Sequence, residues 1–200
     1  FNNQIVFDAL DQHGTSQLYL LSVVSKSYNQ LTFSNDSKYM PAFSHDGSHI
    51  LFHSGNQLKI LTLQNMQTVS IPNSESATKA CWSQDDEAIC FALTHENNDA
   101  DLYLMNIDGT NKRKITTYQG RNEWPKWSPD NNYIIYNRYN NNQCDLWLYD
   151  VRKNLHRPVV EDSDNEWCAD WSDNGKYIVY SRTSEEQSSL NVLSVTESNK

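Results

Sequence analysis

The residues of this chain best suited to chemistry come in two copies of one triplet, Asn122-Glu123-Trp124 and Asn165-Glu166-Trp167, the first preceded by Arg121. An indole supplies contact area and a carboxylate orients a cationic group, and together these make a surface for a peptide or small ligand. Arg121, Glu123, Trp124, Glu166 and Trp167 are therefore the candidate ligand-binding residues. A pair of carboxylates about 5–9 Å apart can also hydrolyse a glycosidic bond. Glu123 and Glu166 are the one acidic pair placed suggestively for that. The competing expectation for both Trp is burial as packing between repeats.

Other chemistries are thinly represented. Asp162, Asp164 and Glu166 alternate as oxygen ligands in a Ca²⁺ loop often do, but the Gly and the distal Glu of a helix–loop–helix calcium site are missing. They are the weak metal candidate, and a solvated acidic loop is the plainer expectation. No G-x-S-x-G elbow or H-E-x-x-H pair occurs, since His95-Glu96 continues as Asn97-Asn98. The six His (13, 45, 49, 53, 95 and 156) form no spaced cluster. No catalytic residue and no cofactor is expected. The four Cys lack the close pairing of a zinc site. Cys81 and Cys90 are expected to face each other across a hairpin. They would be a disulfide in an oxidising compartment, or two small buried thiols.

These side chains sit on a repeat. Four stretches share one pattern: PAFSHDGSHILF (41–52), ACWSQDDEAICF (80–91), PKWSPDNNYIIY (125–136) and ADWSDNGKYIVY (169–180). Each has an aromatic, then Ser, a polar turn, and an aliphatic–aromatic ending. The aromatics are Phe43, Trp82, Trp127 and Trp171, and a period of about 40–45 residues built of short strands marks a β-propeller. Apolar strands follow in each copy, Leu58–Leu63, Leu102–Ile107, Leu146–Tyr149 and Leu190–Val195, with a short fourth strand such as Lys112–Thr116. In Leu102–Ile107 both faces are apolar, as a sheet packed on both sides requires. Asp46-Gly47 and Asn174-Gly175 are turn pairs that tolerate positive φ, so Asp46, Asp85 and Asp130 are read as structural.

The expected fold is all-β, a propeller of four-stranded antiparallel blades with strands a to d. About five blades are visible, in one domain over 1–200, with units near 1–33, 38–72, 78–116, 124–160 and 167–200. The first unit lacks strand a and the last lacks strand d. Together with a first residue that is Phe1 rather than Met, this leads to the expectation of a segment cut from a longer chain. The net charge of -9 argues against nucleic-acid binding by this segment. No stretch reaches the ~18 apolar residues of a membrane helix, so no membrane insertion by this segment is expected.

These repeats resemble those of TolB-type β-propellers. The resemblance rests on Trp127-Ser128-Pro129-Asp130, its variants Trp82-Ser83-Gln84-Asp85 and Phe43-Ser44-His45-Asp46-Gly47, and the run from Asp101 to Gly109 followed by Arg113-Lys114-Ile115-Thr116. It implies a periplasmic or otherwise extracytoplasmic scaffold that binds a protein or peptide segment at its central channel. Two departures stand out: the family's propellers have six blades, and the small α/β domain that precedes the propeller has no counterpart in these repeats. Similar repeats occur in the propellers of prolyl-oligopeptidase-like and dipeptidyl-peptidase-like enzymes, and in sensor domains of membrane-anchored regulators resembling CadC. A binding module is the leading expectation, and these are the alternatives. In a propeller of this kind strand a is innermost, and the d–a and b–c loops line one mouth of the channel. Both Asn-Glu-Trp triplets are expected there, in corresponding segments just before strand a.

Overall fold

The computed structural model of the chain describes residues 2–160, 162–184 and 187–195, and among them it is all β, with no helix. The chain forms five consecutive antiparallel sheets. Blade one is β1 (Gln4–Leu10), β2 (Ser16–Ser22) and β3 (Ser27–Gln30). Blade two is β4 (Lys38–Phe43), β5 (His49–Ser54), β6 (Gln57–Thr62) and β7 (Gln67–Ser70). Blade three is β8 (Ala77–Trp82), β9 (Ala88–Thr94), β10 (Ala100–Asn106) and β11 (Arg113–Lys114). Blade four is β12 (Arg121–Trp127), β13 (Tyr133–Asn140), β14 (Gln143–Asp150) and β15 (Leu155–Val160). Blade five is β16 (Asn165–Trp171), β17 (Tyr177–Thr183) and β18 (Ser188–Ser194). Strands pair with their chain neighbours in every blade, and one parallel bridge, Ala100 to Arg121, joins blades three and four.

The aromatic–Ser–turn pattern has one structural cause in every copy. Ser44, Ser83 and Ser128 each donate from Oγ to the Asp two residues on (2.6 Å), and Ser172 does the same to Asn174 (2.9 Å). The same hydroxyls accept the amide that opens strand b, from His49, Ala88, Tyr133 and Tyr177 (2.9–3.0 Å). The position after the Asp or Asn has positive φ in all four turns: Gly47, Asp86, Asn131 and Gly175. Gly, Asn and Asp are the residues that bear this conformation at least cost. Asp46, Asp85 and Asp130 are thus turn residues, and the hydrogen bonds from Ser44 and Ser48 hold the Asp46 carboxyl down to about 2.

The core lies between blades. Leu51, Leu58, Ile60 and Ile71 of blade two pack against Trp82, Ile89, Phe91 and Met105 of blade three. Equivalent clusters join the other three neighbouring pairs. This is why strand c is apolar on both faces: β10 meets a neighbour on each side. The repeat's Trp also ties blades together through hydrogen bonds. Trp82 Nε1 donates to the Ala42 carbonyl (3.2 Å) and Trp171 Nε1 to that of Lys126 (3.3 Å). Cys81 and Cys90 are register partners across β8 and β9, as expected, and are free thiols. Burial pushes the Cys81 thiol up to about 12 and raises that of Cys90 well above its ordinary range.

Candidate functional site

Strand a carries a recurring irregularity that shapes the site. In β4, β8, β12 and β16 the register slips by one residue against strand b, between Tyr39 and Ala42, Thr78 and Cys81, Glu123 and Lys126, and Trp167 and Asp170. Each slip is a β-bulge, which twists the strand and re-aims its side chains. The residue three before the repeat aromatic is left-handed in blades two to five: Met40 (φ 54), Lys79 (φ 53), Trp124 (φ 56) and Cys168 (φ 50). None is Gly, so this conformation carries a real cost, of the order of 1 kcal/mol or more each, that the surrounding ladder offsets. All four side chains retain solvent access, and Trp124 is 39% exposed.

The two Asn-Glu-Trp triplets do not occupy corresponding positions. Trp124 stands three residues before Trp127, whereas Trp167 stands four before Trp171. The ladders agree: Glu123 pairs with Asn137 of β13, while Trp167 pairs with Ser181, the corresponding residue of β17. Glu123 is therefore equivalent to Trp167, and Glu166 to Asn122. A one-residue offset in a strand exchanges its faces. The triplets also lie inside β12 and β16, rather than in the connection ahead of strand a, because the innermost strands begin at Arg121 and Asn165.

Their environments differ accordingly. Glu123 is buried, and its carboxylate is held by Lys79 on one oxygen and Arg121 on the other. Lys79 also lies 4.9 Å from the centre of the Trp124 ring, a cation–π contact. Glu166 is fully buried, and neither carboxylate oxygen has a hydrogen-bond partner. Desolvation, and then the nearby charges of Asp162 and Asp145, push its carboxyl up to about 7, with Arg182 opposing. Trp167 packs edge-on against Tyr139, with ring centres 5.2 Å apart. The weak metal candidate is spoken for in part: Arg182 pairs with Asp162 (2.8 Å) and Asp164 (2.7 Å), and among the described residues no group of three ligating side chains converges.

The b–c turns of blades three and four meet at the start of strand a of blade four. Asn97–Asp99, Asn140–Asn142 and Gln119–Arg121 surround an open, polar cavity of about 460 Å³. Arg121 reaches across it, donating from Nη1 to Asn98 Oδ1 at 2.7 Å. Gly120 (φ +97) makes the approach possible, since a Cβ there would lie 2.0 Å from the Tyr139 carbonyl oxygen. Lys79, the shared partner of Glu123 and Trp124, was not among the residues singled out from sequence. The left-handed position it occupies is visible only as a place in the repeat, three before each aromatic.

Comparison with known proteins places this geometry. A family model described as a TolB beta propeller domain matches residues 54–200. A protein named as a TolB homolog from Chlorobium luteolum is 30% identical over 140 residues, covering 68% of this chain and 31% of that relative. The chain spans about a third or less of the length of the curated relatives it matches. Among solved structures, TolB from Acinetobacter baumannii superposes with a TM-score of 0.83 at 15% identity, over 97% of this chain and 51% of the other. An oligogalacturonate lyase in complex with manganese superposes with a TM-score of 0.79 at 13% identity, over 100% and 61%. Likeness at these identities speaks to fold alone.

Proposed function

The chain belongs to the TolB beta propeller domain family, and from that premise we propose that it is a non-catalytic, extracytoplasmic module that binds a protein or peptide segment. The proposed surface is the mouth formed by the b–c turns and the starts of the innermost strands, with Arg121, Glu123, Trp124, Glu166 and Trp167 at or behind it. One observation carries this reading: Trp124 presents a large ring, 39% exposed, on a strained position of an innermost strand, three residues from Arg121 and the polar cavity. Of the four residues at this left-handed position Trp124 is the one aromatic, and a half-exposed indole suits an anchor for a partner better than a packing residue. Glu123 is saturated by internal cations and Glu166 is fully buried, so the preference for a ligand with a positive group would come from the acidic surface as a whole. The net charge of -9 would steer such a ligand inward.

The test is selection from a displayed peptide library, followed by calorimetry of the best binder against the wild-type protein and Trp124→Ala. The expected result is enrichment of peptides carrying Lys or Arg and a loss of affinity of at least tenfold in the variant, with the folded state intact. Peptides that bind equally well to both proteins would place the site elsewhere.

A further inference from the structure

The wedge between the first two blades differs from its counterpart between the third and fourth. There, Arg138 stacks over Tyr118 (4.5 Å) and Trp147 (4.6 Å), and His156 packs on Tyr118, Tyr136 and Tyr149. The ladders set Ser54, Lys59 and Thr68 at the positions of Arg138, Trp147 and His156, since Lys38 pairs with Ser54 as Asn122 pairs with Arg138. Ser34 stands where Tyr118 does, because Thr32 and Thr116, two residues earlier, each accept the corresponding strand-c amide. The rings of Tyr118, Trp147 and His156 are thus exchanged for Ser34, Lys59 and Thr68, and the Arg138 guanidinium for the Ser54 hydroxyl, and a cavity of about 470 Å³ is left open.

Its lining is not that of a simple packing defect. Lys38 is only 5% exposed, yet its ammonium has no carboxylate partner among the described residues. It donates to the Ser34 hydroxyl and to the Asp36 carbonyl. Desolvation lowers its proton affinity, as it does for a cation buried without a counter-ion. The Ser54 hydroxyl, also buried, has no hydrogen-bond partner. Lys59 lies on the same wall, and two ammonium groups against the single carboxylate of Asp36 leave the lining net positive in a protein that is strongly acidic. Leu31, Phe33, Phe52, Leu61 and Met66 supply an apolar side. A buried cation and an unsatisfied hydroxyl are both costly until an acceptor reaches them.

We propose that this wedge is a binding site for a small organic anion, a carboxylate on a short apolar tail, with Lys38, Lys59 and Ser54 receiving the charged head and Phe52 and Leu61 the tail. The volume holds on the order of ten non-hydrogen atoms. This site is separate from the mouth proposed above and stands or falls independently of it.

Calorimetric titration with hexanoate, 1-hexanol, hexylamine and inorganic sulfate tests it. Hexanoate is expected to bind, with the alcohol and the amine at least tenfold weaker. Lys59→Gln should weaken hexanoate at least tenfold. Ser54→Leu, which copies Leu93 of blade three, should fill the cavity and abolish binding while leaving the melting temperature at or above that of wild type. Trp124→Ala should leave hexanoate binding unchanged. The proposal is overturned by no heat with hexanoate at 10 mM, by equal binding of the alcohol or the amine, or by binding that survives Ser54→Leu. Sulfate binding as tightly as hexanoate overturns the assignment of the tail.

Discussion

The two Asn-Glu-Trp triplets are identical in sequence and sit on equivalent strands of adjacent blades, yet they have almost nothing physical in common. In blade four the Glu is neutralised by Lys79 and Arg121 and the Trp faces solvent under a cation. In blade five the Glu is buried without a partner and the Trp leans on Tyr139. The difference is one residue of phase relative to the repeat aromatic. In a strand, phase decides which face a side chain joins, and a bulge at the same place in each blade amplifies the consequence. A short motif on a β-repeat therefore carries meaning only with its distance from the repeat's fixed point.

The sharpest way to break this comparison is to delete each carboxylate. Glu123→Ala leaves Lys79 and Arg121, both partly accessible to solvent, without the buried carboxylate they share. Removing one member of a fully buried ion pair costs about 3–5 kcal/mol, and because solvent reaches both cations, urea denaturation should show a loss near the lower end of that range. A loss under ~1 kcal/mol would mean that the triad is solvated and the two glutamates are alike.

Glu166 should respond in the opposite direction. Its carboxyl titrates near 7 in the folded protein, against an ordinary value of 4.5. Between those values the folded state holds the proton that the unfolded state has released, so stability falls as pH rises from 4.5 to 7, and the penalty is complete above 7. That shift corresponds to up to about 3 kcal/mol. Glu166→Gln should be more stable than wild type at pH 8, by an amount of that order, and no more stable at pH 4.5. A wild-type profile that the substitution leaves unchanged would assign the pH dependence to other groups.

Much of the architecture was legible in the sequence, and the reason is local. The Ser and Asp of each turn act within a few residues of one another, so the pattern around Phe43, Trp82, Trp127 and Trp171 is a direct image of the hydrogen bonds that make it. The absence of strand a from the first unit and the identity of strands b, c and d in it follow from the same pattern. The phase of the triplets was also present, in the three residues from Trp124 to Trp127 against the four from Trp167 to Trp171, but it appears only when each triplet is counted back from its aromatic. The isolation of Glu166 and the burial of Lys38 were not legible. Both depend on which side chains meet around the residue in three dimensions, such as Ser34, Ser54 and Lys59 around Lys38, and nothing in a residue's own strand records that.

The smallest effect on stability is expected at Trp124, and it separates an anchor from a packing residue. Trp124→Ala removes a ring that is 39% exposed and belongs to none of the four buried clusters. What it loses is the contact with Lys79, of the order of 0.5–1 kcal/mol for an accessible cation–π pair. The left-handed backbone at this position is at least as strained for Ala as for Trp, so relief there cannot offset the loss, whereas Trp124→Gly should recover part of it. Trp82 is the internal control. It is buried within the cluster between blades two and three and hydrogen-bonded to Ala42, and its truncation should cost about 3–5 kcal/mol. Melting curves of Trp124→Ala, Trp124→Gly and Trp82→Ala decide the matter together. If Trp124→Ala unfolds as readily as Trp82→Ala, the ring is packing between blades, and the mouth loses its anchor.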